Sequence, residues 1–167
     1  MTVTHASVPR WKPSLSFFGF SAIAAAVASA AAFTSLSLGF APWAMFIGWV
    51  AYFTRPTSAP QGVFNWLCLT SGLLFGAGAV LALQTLTPVM GPFALALVVF
   101  IVATIVVSMR AIRTLDNIPA WFLGLIAFFA SHVEPALGAI AELAGAGALG
   151  SAAGWISQRL QARLAAH

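Results

Sequence analysis

The sequence predicts an all-α integral membrane protein of six transmembrane segments, arranged as two inverted three-helix repeats in which segments two and five are short. Three observations predict it. Of 167 residues, 61% are hydrophobic and only 6% charged, whereas soluble domains carry about 25% charged residues. The octapeptide FIGWVAYF at Phe46–Phe53 returns 76 positions later as FLGLIAFF at Phe122–Phe129, with four identities and three conservative changes. A half-length repeat in an apolar chain is a membrane-protein pattern, and an odd number of spans per copy turns the second copy upside down. Finally, the seven lysines and arginines sit at segment ends, on alternate connections only.

The segments follow in order. The first, Leu15–Ser35, is an apolar run behind Arg10 and Lys12. The same pattern, ending in Ala28-Ser29-Ala30, also resembles a secretory signal peptide with a small-residue cleavage site, and cleavage would leave five segments. The second, Ala41–Phe53, and the fifth, Ile118–Ser131, carry the repeated octapeptide. Both are bracketed by proline, at Pro42 and Pro56 and at Pro119 and Pro135, which cannot extend a helix beyond its first turn without losing a hydrogen bond. The third, Gly62–Leu83, and the sixth, Ala136–Ile156, are rich in glycine; the fourth, Val89–Met109, is branched and glycine-free through its centre and is expected to face lipid. The repeat register is read without a gap through Gly62 and Gly138, Leu67 and Leu143, Leu73 and Leu149, and Gly78 and Gly154. The chain thus divides into an N-terminal tail (1–14), a first repeat (15–84), a second repeat (89–157) and a C-terminal tail (158–167).

Cytoplasmic loops are enriched in lysine and arginine. With the N-terminus inside, Arg10, Lys12, Arg55, Arg110, Arg113, Arg159 and Arg163 all fall on the cytoplasmic face. The external turns Ser37–Phe40, Gln84–Pro88 and His132–Pro135 then contain no lysine or arginine. Both tails are cytoplasmic in this reading. The net charge of +4 therefore encodes orientation and not a nucleic-acid surface.

Small residues let helices approach closely in lipid, so Gly48, Gly124, Gly72, Gly76, Gly150 and Gly154 are read as helix-packing positions. An ionisable group within a bilayer costs at least a few kcal/mol and is a functional hypothesis by default. Glu142 is the clear instance, and with Asn65, His132 and Glu134 it forms the expected substrate path. The aromatic residues Phe46, Trp49, Tyr52, Phe53, Phe122, Phe128 and Phe129 are candidates for a constriction that gates by dewetting. Trp43 and Trp121 read as membrane-interface anchors. No Cys or His spacing suggests a metal site, no phosphate-binding glycine loop is present, and no serine sits in a nucleophile elbow. An enzyme, a cofactor and a metal are accordingly not expected.

The stretch Trp43-Ala44-Met45-Phe46-Ile47-Gly48 through Ala51-Tyr52-Phe53, followed by Pro60-Gln61-Gly62, resembles the hallmark region of the bacterial inner-membrane proteins grouped as domain of unknown function 1097 (DUF1097). Ile118-Pro119, Phe122-Leu123-Gly124 and Phe128 to Ala130 are similar to that family's later proline-glycine-aromatic segment. The chain departs from the pattern at Arg55 to Ala59, which separates the aromatic motif from Pro-Gln-Gly. The resemblance implies a small multi-pass inner-membrane protein and no particular substrate. The function expected is a channel or transporter for a small solute or ion, embedded in the lipid bilayer as a homo-oligomer. The alternative is a structural or regulatory membrane subunit that binds partners through its glycine-rich faces.

Overall fold

The computed structural model describes residues 15–55 and 57–166, all of whose regular structure is helical. Arg10, Lys12 and Pro56 lie outside the described residues. The helices are α1 (Leu15–Ser37), α2 (Pro42–Tyr52), α3 (Ala59–Met90), α4 (Phe93–Ser108, continued by a 3₁₀ turn to Ala111), α5 (Ile118–Ser131) and α6 (Leu137–Ala165). Four of them, α1, α3, α4 and α6, are long and apolar enough to cross a membrane, which makes this a multi-pass membrane protein. With 11 and 14 residues, α2 and α5 reach about 16 and 21 Å at 1.5 Å per residue, short of the roughly 30 Å hydrocarbon core.

The helix ends have local causes. Ser58 accepts the Gln61 amide at 3.3 Å to cap α3, and the Asn117 side chain accepts the Ala120 amide at 3.3 Å to cap α5, the usual remedy for orphan amides at a helix start. α5 stops at His132, which adopts a left-handed backbone at φ 53°. Two boundaries differ most from the sequence reading. The turn expected at Gln84–Pro88 is helical, because Pro88 lies in the last turn of α3; the chain reverses instead at Gly91, with φ 56° and its amide bonded to Thr87 O at 2.9 Å. α6 continues through the 158–167 tail to Ala165.

Each short helix lies against the long third helix of the other half. α2 packs on α6: a Cβ at Gly150 would strike Met45 O and come to 2.7 Å of Trp49 N, and one at Gly48 would strike Gly147 O. α5 packs on α3: a Cβ at Gly72 would strike Trp121 O, and one at Gly124 would strike Leu69 O and come to 2.9 Å of Gly72 Cα. One turn on, Gly154 faces the Tyr52 ring and Gly76 the Phe128 ring. Met45 and Trp121, like Tyr52 and Phe128, are 76 positions apart, but their partners Gly150 and Gly72, like Gly154 and Gly76, are 78 apart. The gapless register therefore fails between the short helix and the third helix. The second half carries two more residues in that connection, as the starts of α3 at Ala59 and α6 at Leu137 also show. α3 and α6 meet each other where Trp66 Nε1 donates to Ala144 O at 2.9 Å and Leu69 rests on Gly147.

Candidate functional site

At one end of the bundle the connections between helices are joined by polar contacts. Arg55 Nη2 pairs with Asp116 Oδ1 at 2.7 Å. Asn117 Nδ2 donates to Thr54 Oγ1 at 2.7 Å and to Asn65 Oδ1 at 2.6 Å, and Asn65 Nδ2 donates to Tyr52 O at 3.2 Å. Asn65 and Asn117 are buried, and these bonds satisfy what burial would otherwise leave unpaired. The Tyr52 hydroxyl donates to Gln158 Oε1 at 2.6 Å, Gln158 donates to the Thr57 hydroxyl, and Gln161 Nε2 donates to Phe20 O at 3.1 Å. The start of α1, the end of α6 and both arginine-bearing connections thus share this end.

Beside this network a half-open cavity of about 250 Å³ lies between α2, α3 and α6, with Tyr52, Gly62, Val63, Trp66, Ser151 and Trp155 among its walls. Gly62 and Ser151 make the room, and the Ser151 hydroxyl donates to Gly62 O at 3.4 Å. The Trp155 indole N–H is buried without a partner, and the Arg159 guanidinium lies over the Trp155 ring at 5.5 Å. A second, wholly apolar groove of about 520 Å³ runs between α3, α4 and α5, with Val98, Val99, Phe122, Ile126 and Phe129 in its wall.

The expected path residues are not brought together. Asn65 belongs to the buried network, Glu142 faces outward from the start of α6, and His132 and Glu134 are exposed in the α5–α6 turn. A 76-residue register would pair Glu142 with Trp66; in the 78-residue register Trp66 corresponds to Ala144, the residue it bonds. Nor do the seven aromatic residues form a ring. Tyr52 and Phe128 are buried against the third helices, Trp49 is half-buried, and Phe46, Phe53, Phe122 and Phe129 are exposed on the bundle surface. Trp121 is buried, with Nε1 donating to Leu115 O at 2.9 Å, and so is no interface anchor, while Trp43 is exposed. Among the described residues no three His, Cys, Asp or Glu side chains are grouped to hold a metal.

Sequence reasoning passed over Asn117, although an Asn just before Ile-Pro is a helix-start signal. It also passed over Trp155 and Gln158, which nothing local marks, because the partners of Gln158 come from α2 and its following connection and Trp155 faces a cavity that α2 and α3 help to wall. A family model described as "Protein of unknown function (DUF1097)" matches residues 21–162. No curated protein and no solved structure matches the chain.

Proposed function

We propose that this chain, which belongs to the DUF1097 family, is a non-catalytic channel or transporter for a small solute or ion, built from two inverted three-helix repeats. The observation that carries the reading is the cavity, which is walled by residues of both halves where their third helices meet. The reciprocal packing of α2 on α6 and α5 on α3 supports the inverted arrangement, since each half uses the same glycine contacts on the other. Clasped in this way, the short helices complete the six-segment bundle without spanning independently. The gathering of the described arginine-bearing connections at one end supports the orientation with that end in the cytoplasm of a bacterium, under the positive-inside rule.

The test is solute flux into proteoliposomes of the purified protein, followed by stopped-flow light scattering, with an Ala152→Trp variant. Ala152 lines the cavity from an exposed position, so the indole fills the cavity without entering the core. Flux above empty vesicles that falls at least tenfold in the variant is expected. Equal flux in both proteins removes the path from this cavity, and no flux for any solute removes the transport reading.

A second reading, a non-transporting subunit, is favoured by the apolar groove of α3, α4 and α5. The glycine faces of α3 and α6 are occupied within the chain, so in either reading association with a second copy uses this groove in their place. Crosslinking of cysteines placed at Val99 and Phe129 would report that contact.

A further inference from the structure

We infer that the cavity between α2, α3 and α6 binds a small organic monocarboxylate, its apolar body against Gly62, Val63, Trp66 and Ala148 and its carboxylate at Arg159, which is stacked on the wall residue Trp155. As the solute carried, this ligand rests on the transport reading; as a bound ligand it does not.

Size sets the first bound. An apolar cavity of about 150 Å³ holds a benzene molecule, so about 250 Å³ holds a ring or short chain with one carboxylate. The polar groups set the sign. The Trp155 indole N–H is enclosed and presents no donor to the cavity, so Arg159, stacked on the Trp155 ring, sets the sign. The Tyr52 and Ser151 hydroxyl protons are already directed to Gln158 and Gly62 O.

The charge balance points the same way. Arg159 is exposed, is stacked on Trp155, and has no carboxylate partner among the described residues. Its planar fork suits a carboxylate. Of the three acids in the chain, Asp116 is paired with Arg55. Glu134 is in the α5–α6 turn and Glu142 is near the start of α6, roughly 20 Å along the helix from Trp155. No aspartate or glutamate among the described residues lies at the site, and a cationic solute would meet Arg159 without a carboxylate side chain to balance it.

The full-length protein in detergent is titrated by calorimetry with benzoate, with benzamide as its neutral isostere, and with inorganic phosphate as an anion lacking an apolar body. The same three are tested as solutes in proteoliposomes. Benzoate is expected to bind at least tenfold tighter than the other two, and Arg159→Gln, at an exposed position, to weaken it roughly ten- to hundredfold, the range for a charge-assisted hydrogen bond. Trp155→Phe is expected to weaken it by less. Equal binding of benzoate and benzamide overturns the inference. So does an anionic phospholipid that copurifies with the native protein and is absent from Arg159→Gln, since a lipid headgroup then holds the site. Flux of neutral solutes without benzoate binding overturns the carboxylate and leaves transport standing; benzoate binding without flux of any solute upholds the site and removes transport.

Discussion

The seam between α3 and α6 has two ends whose backbones pack alike and whose side chains do not. At the arginine-bearing end stand Asn65, Gly62, Ser151 and Trp155; at the corresponding positions of the other half stand Leu143, Ile140, Leu73 and Ala77. The leucines and isoleucine there are buried in the main apolar core, whereas Gly62 and Ser151 leave a cavity. Likewise Asn117, which caps α5 and bonds Asn65, corresponds to Ala41 at the start of α2, which caps with no side-chain bond. The difference teaches that a repeated scaffold fixes where helices cross, while side-chain volume decides which end opens. The cavity is thus an asymmetric feature of a near-symmetric frame.

The largest expected effect breaks what both ends share. Gly48→Leu and Gly124→Leu each drive a side chain into backbone carbonyls, at Gly147 and Leu69. Neither backbone can move without separating a clasp, so each should destabilise by more than about 4 kcal/mol. The check is loss of the monodisperse peak on size-exclusion chromatography, equal for the two variants if the clasps are equivalent.

A smaller effect should come from making the filled end resemble the open one. Leu73→Ala removes a fully buried side chain and should cost about 2–5 kcal/mol by transfer and cavity terms. Ser151→Ala, its counterpart, loses only a long hydrogen bond of 3.4 Å and should cost under about 1 kcal/mol. Denaturation of the two variants side by side in the same detergent measures the contrast, and similar midpoints would show that the filled end is not tightly packed.

The polar network at the open end yields the finest comparison. Asn117→Ala strands the buried Asn65 carbonyl oxygen and removes the α5 cap, about 1–3 kcal/mol. Asp116→Asn loosens a partly exposed ion pair that should contribute less than about 1 kcal/mol. Cys68, the single cysteine, is buried beside this network with Sγ 3.8 Å from Thr114 O, so its maleimide labelling rate reports local opening. Labelling should speed up clearly in Asn117→Ala and little in Asp116→Asn; the reverse order would make the ion pair the stronger fastening.

Much of the fold was legible because the governing signals are local. The proline brackets marked α2 and α5, apolar length marked the long helices, and the positions of the arginines predicted which connections would meet. The site was not legible, and Glu142 shows why. A carboxylate in an apolar segment reads as internal, but lipid is as apolar as a protein core, so hydropathy does not tell the inward face of such a helix from the outward one. The seven aromatic candidates divide for the same reason between buried contacts at Tyr52 and Phe128 and outward positions at Phe46 and Phe129.

By itself the sequence determined the membrane setting, the helical class, the shortness of α2 and α5 and the separation of charge to one side, since each follows from composition along a single segment. Only the tertiary structure decided the 78-residue correspondence of the third helices, the burial of Asn65 with Asn117, and the opening of a cavity at Gly62 and Ser151. These depend on side-chain volumes meeting across helices some fifty to ninety residues apart in the chain, and no local pattern encodes which two faces will meet.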